Sequence, residues 1–231
     1  MTEPTLGRLI PRIMVLFMTT TFAYAQNDID WNNFNSGLVI EVTRPEGKFT
    51  CSGVAIKNDV VLTAAHCLDG EILKVRVFTQ ATYNPSHKSI DAEHFQLHPG
   101  YNKSKSNFKS DLARIKLSSK LPDSTMIYPI LKNESNFKGK ILRVGFGARS
   151  QSNIRTLVTP QFKALQVDTG VLELDDMYSF SGDSGGPIFI QRDGQMYLVA
   201  IHSTLSYGPQ GKFSFNPLVS GQRDWIFASW N

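Results

Sequence analysis

Cysteine is almost missing from this chain. Cys51 and Cys67 are its only two, which excludes a disulfide-dense framework and leaves room for one bridge at most. Long apolar runs are missing too. No stretch approaches the roughly 20 residues that a permanent membrane-spanning helix needs. Charge is nearly balanced, with 24 basic against 20 acidic residues and a net charge of +4. The basic residues between Lys103 and Lys120 lack regular aromatic interleaving and read as a solvated face, so no nucleic-acid partner is expected. No internal repeat, low-complexity tract or long linker interrupts the 231 residues. A chain of this length accommodates one large all-β domain or two fused small ones.

The first 25 residues differ from the rest. Arg8 and Arg12 precede the apolar run from Ile13 to Met18, and Ala23-Tyr24-Ala25 carries the small-x-small pattern read by signal peptidase. Residues 1–25 are therefore expected to be a signal peptide cut between Ala25 and Gln26, although Glu3 is untypical of its first part. Losing Arg8, Arg12 and Glu3 leaves 22 basic and 19 acidic residues, a net charge of +3. The expected product is a secreted or periplasmic protein with no membrane association after cleavage. In that oxidising setting Cys51 and Cys67, 16 residues apart, are expected to pair as a structural staple rather than remain as free thiols.

Short β-rich runs recur between turn signals. Residues 37–42, 53–56, 60–62, 73–78, 112–117, 140–144, 162–167, 187–190 and 196–201 all read as strands. Arg192-Asp193-Gly194 reads as a hairpin turn between the last two. One helix is expected, over Val219 to Trp230 after Pro217, with Ser220 as its cap. Many short strands at this spacing suggest a barrel or a sandwich.

Three segments carry chemistry. Leu62-Thr63-Ala64-Ala65-His66-Cys67 presents a histidine, Ser110-Asp111-Leu112-Ala113-Arg114 sets an aspartate at the head of an alternating strand, and Gly182-Asp183-Ser184-Gly185-Gly186-Pro187 places a serine between glycines. A serine hydroxyl needs a base within reach to take its proton as it attacks a carbonyl. A histidine held by an aspartate supplies one. Each segment alone has a bland reading: a turn, a satisfied histidine, a strand cap. Their conjunction in the order His, Asp, Ser resembles the chymotrypsin/trypsin family of serine endopeptidases, from about Gly37 to Asn231. His98-Pro99-Gly100-Tyr101-Asn102 and Val144-Gly145-Phe146-Gly147, with Phe where the family commonly has Trp, add to the resemblance.

The resemblance implies an all-β fold of two six-stranded antiparallel β-barrels with a C-terminal α-helix, and a catalytic cleft between the barrels. The chain would cross from one barrel to the other near residues 125–140, within one protease domain over residues 26–231. It implies a triad of His66, Asp111 and Ser184, an oxyanion hole formed by the N–H groups of Gly182 and Ser184, and a Cys51–Cys67 bridge tying a strand to the histidine loop. Ser203 would support Asp111. Substrates would be proteins or peptides, cut through an acyl-enzyme. No cofactor or metal is expected: His94 and His98 stand at a spacing that suits a helical metal site, but their surroundings read as a strand and turn. The oligomeric state is open, with a monomer as the default.

The chain departs from the family pattern in four places. Six residues before Ser184, where an aspartate selects basic side chains, stands Tyr178; Asp175 and Asp176 are offset, so tryptic specificity is not expected. Phe180 replaces a cysteine that lines the pocket. His202 stands where glutamyl endopeptidases carry a histidine that meets the substrate carboxylate, so a pocket of Tyr178, Ser179, His202 and Ser203 could accept an acidic residue, unless His202 simply packs in its strand. Finally, Asp183 has no evident partner. The tetrapeptide Ile-Val-Gly-Gly, whose freed ammonium pairs with this aspartate in trypsin-like zymogens, is absent, and no Lys or Arg lies between Gln26 and Gly37. Either signal cleavage makes the working terminus or Asp183 is satisfied in another way. The rival reading is a non-catalytic homologue that binds a protein partner.

Overall fold

The computed structural model describes residues 35–103, 108–132, 140–147, 156–158, 161–166, 170–192, 194–208 and 211–230. The expected signal segment, its cleavage point and Asp193 lie outside them. Six strands form a closed antiparallel barrel in the order β1-β2-β3-β6-β5-β4: β1 Gly37–Arg44, β2 Gly47–Lys57, β3 Val60–Thr63, β4 Lys74–Phe78, β5 Ile90–Leu97 and β6 Ala113–Leu117. Closure comes from β1, which pairs with β2 on one edge and β4 on the other. Such closure leaves no unpaired strand edge.

Apolar residues on both faces of the barrel strands are buried, among them Leu38, Ile40, Val54, Val61, Leu62, Val77 and Ile115. Glu41 on β1 is also buried; Arg76 pairs with its carboxylate at 2.7 Å and the Tyr83 hydroxyl donates to it at 2.5 Å. A buried carboxylate without such partners would be costly.

The second half holds β7 Lys140–Gly145, β8 Thr156–Val158, β9 Gln161–Gln166, β10 Val171–Asp175, β11 Pro187–Arg192, β12 Gln195–Ile201, β13 Thr204–Gly208 and β14 Gly211–Pro217. Its described strands form two four-stranded sheets, β12-β11-β7-β8 and β13-β14-β10-β9. A bridge between Ala200 and Leu218 joins them. Leu172, Leu174, Ile188, Ile190, Val199 and Leu218 fill the core between the sheets. The expected hairpin is present as β11 and β12, closing at Arg192 and Gln195.

The terminal helix is shorter than the sequence pattern suggests. A 3-10 turn over Ser220–Gln222 leads into α1, Arg223–Phe227, and Ser220 lies inside that turn instead of capping a long helix. The reason is Arg114. Its guanidinium donates to the carbonyls of Ala228 at 2.6 Å and Ser229 at 3.0 Å, and it lies against the rings of Trp225 and Trp230. The chain end is thus held as an extended tail across β6.

Candidate active site

Strand register brings the histidine and aspartate together. Thr63 at the end of β3 pairs with Ala113 at the start of β6. Because the strands are antiparallel, the residues just after one and just before the other meet at the same rim. His66 sits there in a 3-10 turn over Ala65–Cys67, and Asp111 immediately precedes β6. His66 Nδ1 faces Asp111 Oδ2 at 2.7 Å, and the His66 backbone N–H donates to Asp111 Oδ1 at 2.8 Å. Both ring orientation and loop position are therefore set by one carboxylate. Asp111 is buried, while the His66 side chain is 37% exposed and opens into the cleft.

The other half supplies the serine and a third contact to the aspartate. Ser203, between β12 and β13, donates its hydroxyl to Asp111 Oδ2. Burial alone would raise the Asp111 pKa, but the bond to His66, the charge of His66 and the bond from Ser203 hold it below the ordinary carboxylate value. Asp111 stays ionised and His66 is held with Nδ1 toward it, which leaves Nε2 for the cleft.

Ser184 lies in a loop just before β11. Gly182 and Gly185 have φ of +98° and +84°, a region that a side chain would strain. Gly185 is doubly required, since a Cβ there would overlap Thr63 Oγ1 and the Ser52 carbonyl. Around the loop, the amides of Asp183, Gly185 and Gly186 donate to the carbonyls of Phe180, His202 and Asp183. The amides of Gly182 and Ser184 donate to nothing among the described residues. Two unspent donors, one on each side of Asp183, on a loop of this shape are what an oxyanion requires.

Ser52, on β2 of the barrel, fastens this loop from across the cleft. Its N–H donates to the Ser184 carbonyl at 2.7 Å, its hydroxyl donates to the Gly182 carbonyl at 2.7 Å, and the same oxygen accepts the Phe146 N–H at 2.9 Å. Thr63 in turn donates to the Ser52 carbonyl at 2.8 Å. Phe146 packs against Val39 and Phe78 of the barrel, so the two halves also share an apolar contact. Sequence reasoning missed Ser52 because its signal is a plain Cys-Ser-Gly in a strand. Only the tertiary fold shows what its hydroxyl meets.

A cleft of about 280 Å³ joins His66, Gly182 and Ser184, with Arg44, Phe49 and the Cys51–Cys67 disulfide on its barrel side. The candidate pocket residues are not gathered in one opening. Ser179, His202 and Ser203 are buried, whereas Tyr178 is 65% exposed and only its carbonyl turns inward, toward Arg143. His202 is engaged on both sides, by the Ser179 hydroxyl at 2.6 Å and by Asn216 Oδ1 at 3.1 Å. Burial, with the Arg143 charge second, pushes its pKa down to about 4, against the opposing pull of Asp176 and Asp183. It is a neutral imidazole inside the protein.

His94 and His98 do not converge. His94 meets the Trp230 ring edge-on; His98 bonds Gln222 at 3.0 Å and accepts the Gly100 N–H. No cluster of three or more metal-ligating side chains occurs among the described residues, and none of their helices is long and apolar enough to cross a membrane.

Sequence reasoning also left Asp183 without a partner. The structure supplies one: Arg143 on β7, fully buried, approaches Asp183 Oδ2 through Nη1 at 3.0 Å and Asp176 Oδ2 through Nε at 2.6 Å. Neither N–H points straight at its oxygen, so these contacts are ionic, and the directed hydrogen bonds run from Nη2 to Asp176 Oδ1 at 3.0 Å and to the Tyr178 carbonyl at 3.1 Å. A charged residue amid the apolar pattern of β7 was the available signal.

The sequence model of the family described as Trypsin matches residues 32–226. The chain is 26% identical over 214 residues to CLIP domain-containing serine protease B4 of Anopheles gambiae, covering 74% of this chain and 59% of that protein. It is 27% identical over 244 residues to phenoloxidase-activating factor 3 of Holotrichia diomphalia, covering 86% of this chain and 70% of that protein. It spans only 40% of vitamin K-dependent protein C of Rattus norvegicus, to which it is 28% identical over 68% of its own length. Among solved structures, HL collagenase superposes with a TM-score of 0.67 at 21% identity, covering 84% of this chain and 92% of that one. A thermostable serine protease, AL20, gives 0.64 at 19% identity, over 85% and 98%.

Proposed function

We propose that this chain, which belongs to the trypsin family, is a serine endopeptidase that cleaves proteins or peptides outside the cytoplasm through His66, Asp111 and Ser184. The observation that carries the reading is the 2.7 Å contact of His66 Nδ1 with Asp111 Oδ2 in a cleft that Ser184 also lines.

In this mechanism Ser184 Oγ attacks the scissile carbonyl carbon as its proton passes to His66 Nε2. The carbonyl π pair moves onto oxygen, and the N–H groups of Gly182 and Ser184 hold the resulting oxyanion. Collapse breaks the C–N bond, the leaving amine takes the proton from His66, and an ester to Ser184 remains. Water repeats the sequence, giving the acid and free Ser184. Asp111 keeps its charge throughout and stabilises the imidazolium.

Specificity is read as non-tryptic, because Tyr178 stands where a basic-residue selector would, and its ring is at the surface. An acidic preference finds no free cation in His202, which is buried, neutral and bonded on both ring nitrogens. Export after loss of residues 1–25 accords with the single disulfide.

A fluorophosphonate probe tests the reading. Ser184 should be labelled in the folded protein, and Ser184→Ala should abolish both labelling and peptide hydrolysis. A folded protein that neither labels nor hydrolyses a peptide library would instead be a binding homologue. The cut sites in that library check the specificity: enrichment of Lys or Arg before the bond would overturn the non-tryptic assignment.

A further inference from the structure

Asp183 precedes the nucleophile and sits wholly inside the protein. Its carboxylate fixes the loop from within: Oδ1 accepts the Gly147 N–H at 2.7 Å and Oδ2 accepts the Phe180 N–H at 3.0 Å. Gly145 and Gly147 pack so closely on it that a Cβ at either would collide with the carboxyl group. A buried carboxylate in this position needs a cation. If it turned outward, the Gly182–Ser184 donors would turn with it, because its own backbone lies between theirs.

The structure supplies that cation from a side chain of the folded domain. Arg143 is fully buried, and its guanidinium spans Asp176 and Asp183 while donating to the Tyr178 carbonyl. Arg143 belongs to β7, which pairs with β11, the strand that follows the serine loop. The register sets Arg143 opposite Ile188, four residues after Ser184. The ion pair is therefore assembled by sheet formation itself.

We propose that Arg143 is the positioning residue that holds the nucleophile loop in its working shape, and that the catalytic site consequently forms without an ammonium group released by cutting the chain. This rests on the triad reading above and adds to it. The missing Ile-Val-Gly-Gly then has a physical explanation: the charge that a new terminus would bring is already built into β7. Asp176, offset in sequence from the position that selects basic side chains, has a structural task here. It faces the second edge of the guanidinium and fixes its direction.

The experiment has three parts, all on the purified full chain with fluorophosphonate labelling of Ser184 and peptide hydrolysis as readouts. First, the α-amino group is acetylated near pH 6.5, where lysines are protonated and spared. The labelling rate should change less than twofold, and a terminus found already blocked but active supports the proposal equally. A loss of more than tenfold overturns it. Second, Arg143→Met should lower kcat/KM at least a hundredfold, mostly through kcat, while the disulfide and circular dichroism are retained. A Met variant with full activity overturns the proposal.

Third, Arg143→Lys decides if the Met variant fails to fold. A guanidinium stays charged across the whole accessible range, whereas an ammonium does not. The parent should hold its activity from pH 8 to about 10.5, and the Lys variant should lose it there, with a reversible alkaline limb that the parent lacks. Matching alkaline profiles overturn the proposal. A parent protein that never labels at Ser184 overturns the peptidase reading itself, a result distinct from labelling that appears only after the chain is cut.

Discussion

Asp111 Oδ2 receives two groups from opposite halves of the molecule: His66 Nδ1 from the barrel at 2.7 Å, and the Ser203 hydroxyl from the loop between β12 and β13. With Oδ1 taken by the His66 backbone N–H, every contact of the carboxylate serves the histidine or bridges the two halves. Asp111 thus does two things at once, orienting His66, the proposed base, and locking the barrel to the part that carries Ser184.

Asp111→Asn should preserve this geometry yet cost about 10⁴-fold in kcat, since an amide nitrogen facing Nδ1 forces the wrong tautomer. Ser203→Ala should cost far less, about tenfold, the worth of one hydrogen bond to a charged group. Steady-state hydrolysis of one peptide substrate by the three proteins checks the ranking. Equal losses would mean that Ser203 acts as more than a support.

Removing the Ser52 hydroxyl should hurt both stability and rate. Ser52→Ala removes an acceptor of the buried Phe146 N–H and a donor to the Gly182 carbonyl, at about 1–3 kcal/mol. Urea unfolding should show that loss, and kcat should fall while KM changes little, because freeing the Gly182 carbonyl loosens the residue whose N–H faces the oxyanion. An unchanged kcat would show that the loop needs no fastening at this point.

His202 gives a pH dependence of stability with a definite sign. Its folded pKa is about 4 against an unfolded value of 6.5. Above pH 6.5 both states are neutral and nothing is lost. As pH falls toward 4 the unfolded chain takes up a proton that the folded one refuses, so stability declines by on the order of 3 kcal/mol. His202→Gln should flatten the unfolding free energy between pH 6.5 and 4 relative to the parent. Parallel curves would mean that the imidazole accepts a proton in place.

The disulfide closes a loop of 16 residues that includes His66. Replacing Cys51 and Cys67 together by Ala should destabilise the protein by about 3 kcal/mol, chiefly through the unfolded chain. For a domain of this size that corresponds to a fall in Tm of about 6–12 °C, measurable by calorimetry. Activity below the transition should survive, since the bridge lines the cleft without entering the proton path.

Much of this was legible in residue order. Period-two alternation marks the strands because a pleated strand sends successive side chains to opposite faces, and β1, β4, β7 and β12 lie where that pattern set them, within a residue or two. The triad could be named because each member sits in a short local context: a turn after β3, the head of β6, a glycine loop before β11. The C-terminal helix is shorter than its sequence pattern predicts. Its periodicity is real, but Arg114, more than 100 residues earlier, claims the carbonyls of Ala228 and Ser229.

Residue order by itself marked many of the strands, though not β8, β10, β13 or β14, together with the three residues proposed for acyl transfer and the glycines that let the serine loop turn, since all of these depend on neighbours a few positions apart. What only the tertiary structure decided are the pairings made across the sheets: Ser52 with the Gly182 carbonyl, Ser203 with Asp111, His202 buried between Ser179 and Asn216, and Arg143 with Asp176 and Asp183. An ionic or hydrogen-bonded partner leaves no periodic trace in a chain. It becomes identifiable when folding removes water from both groups and each must be satisfied by the other.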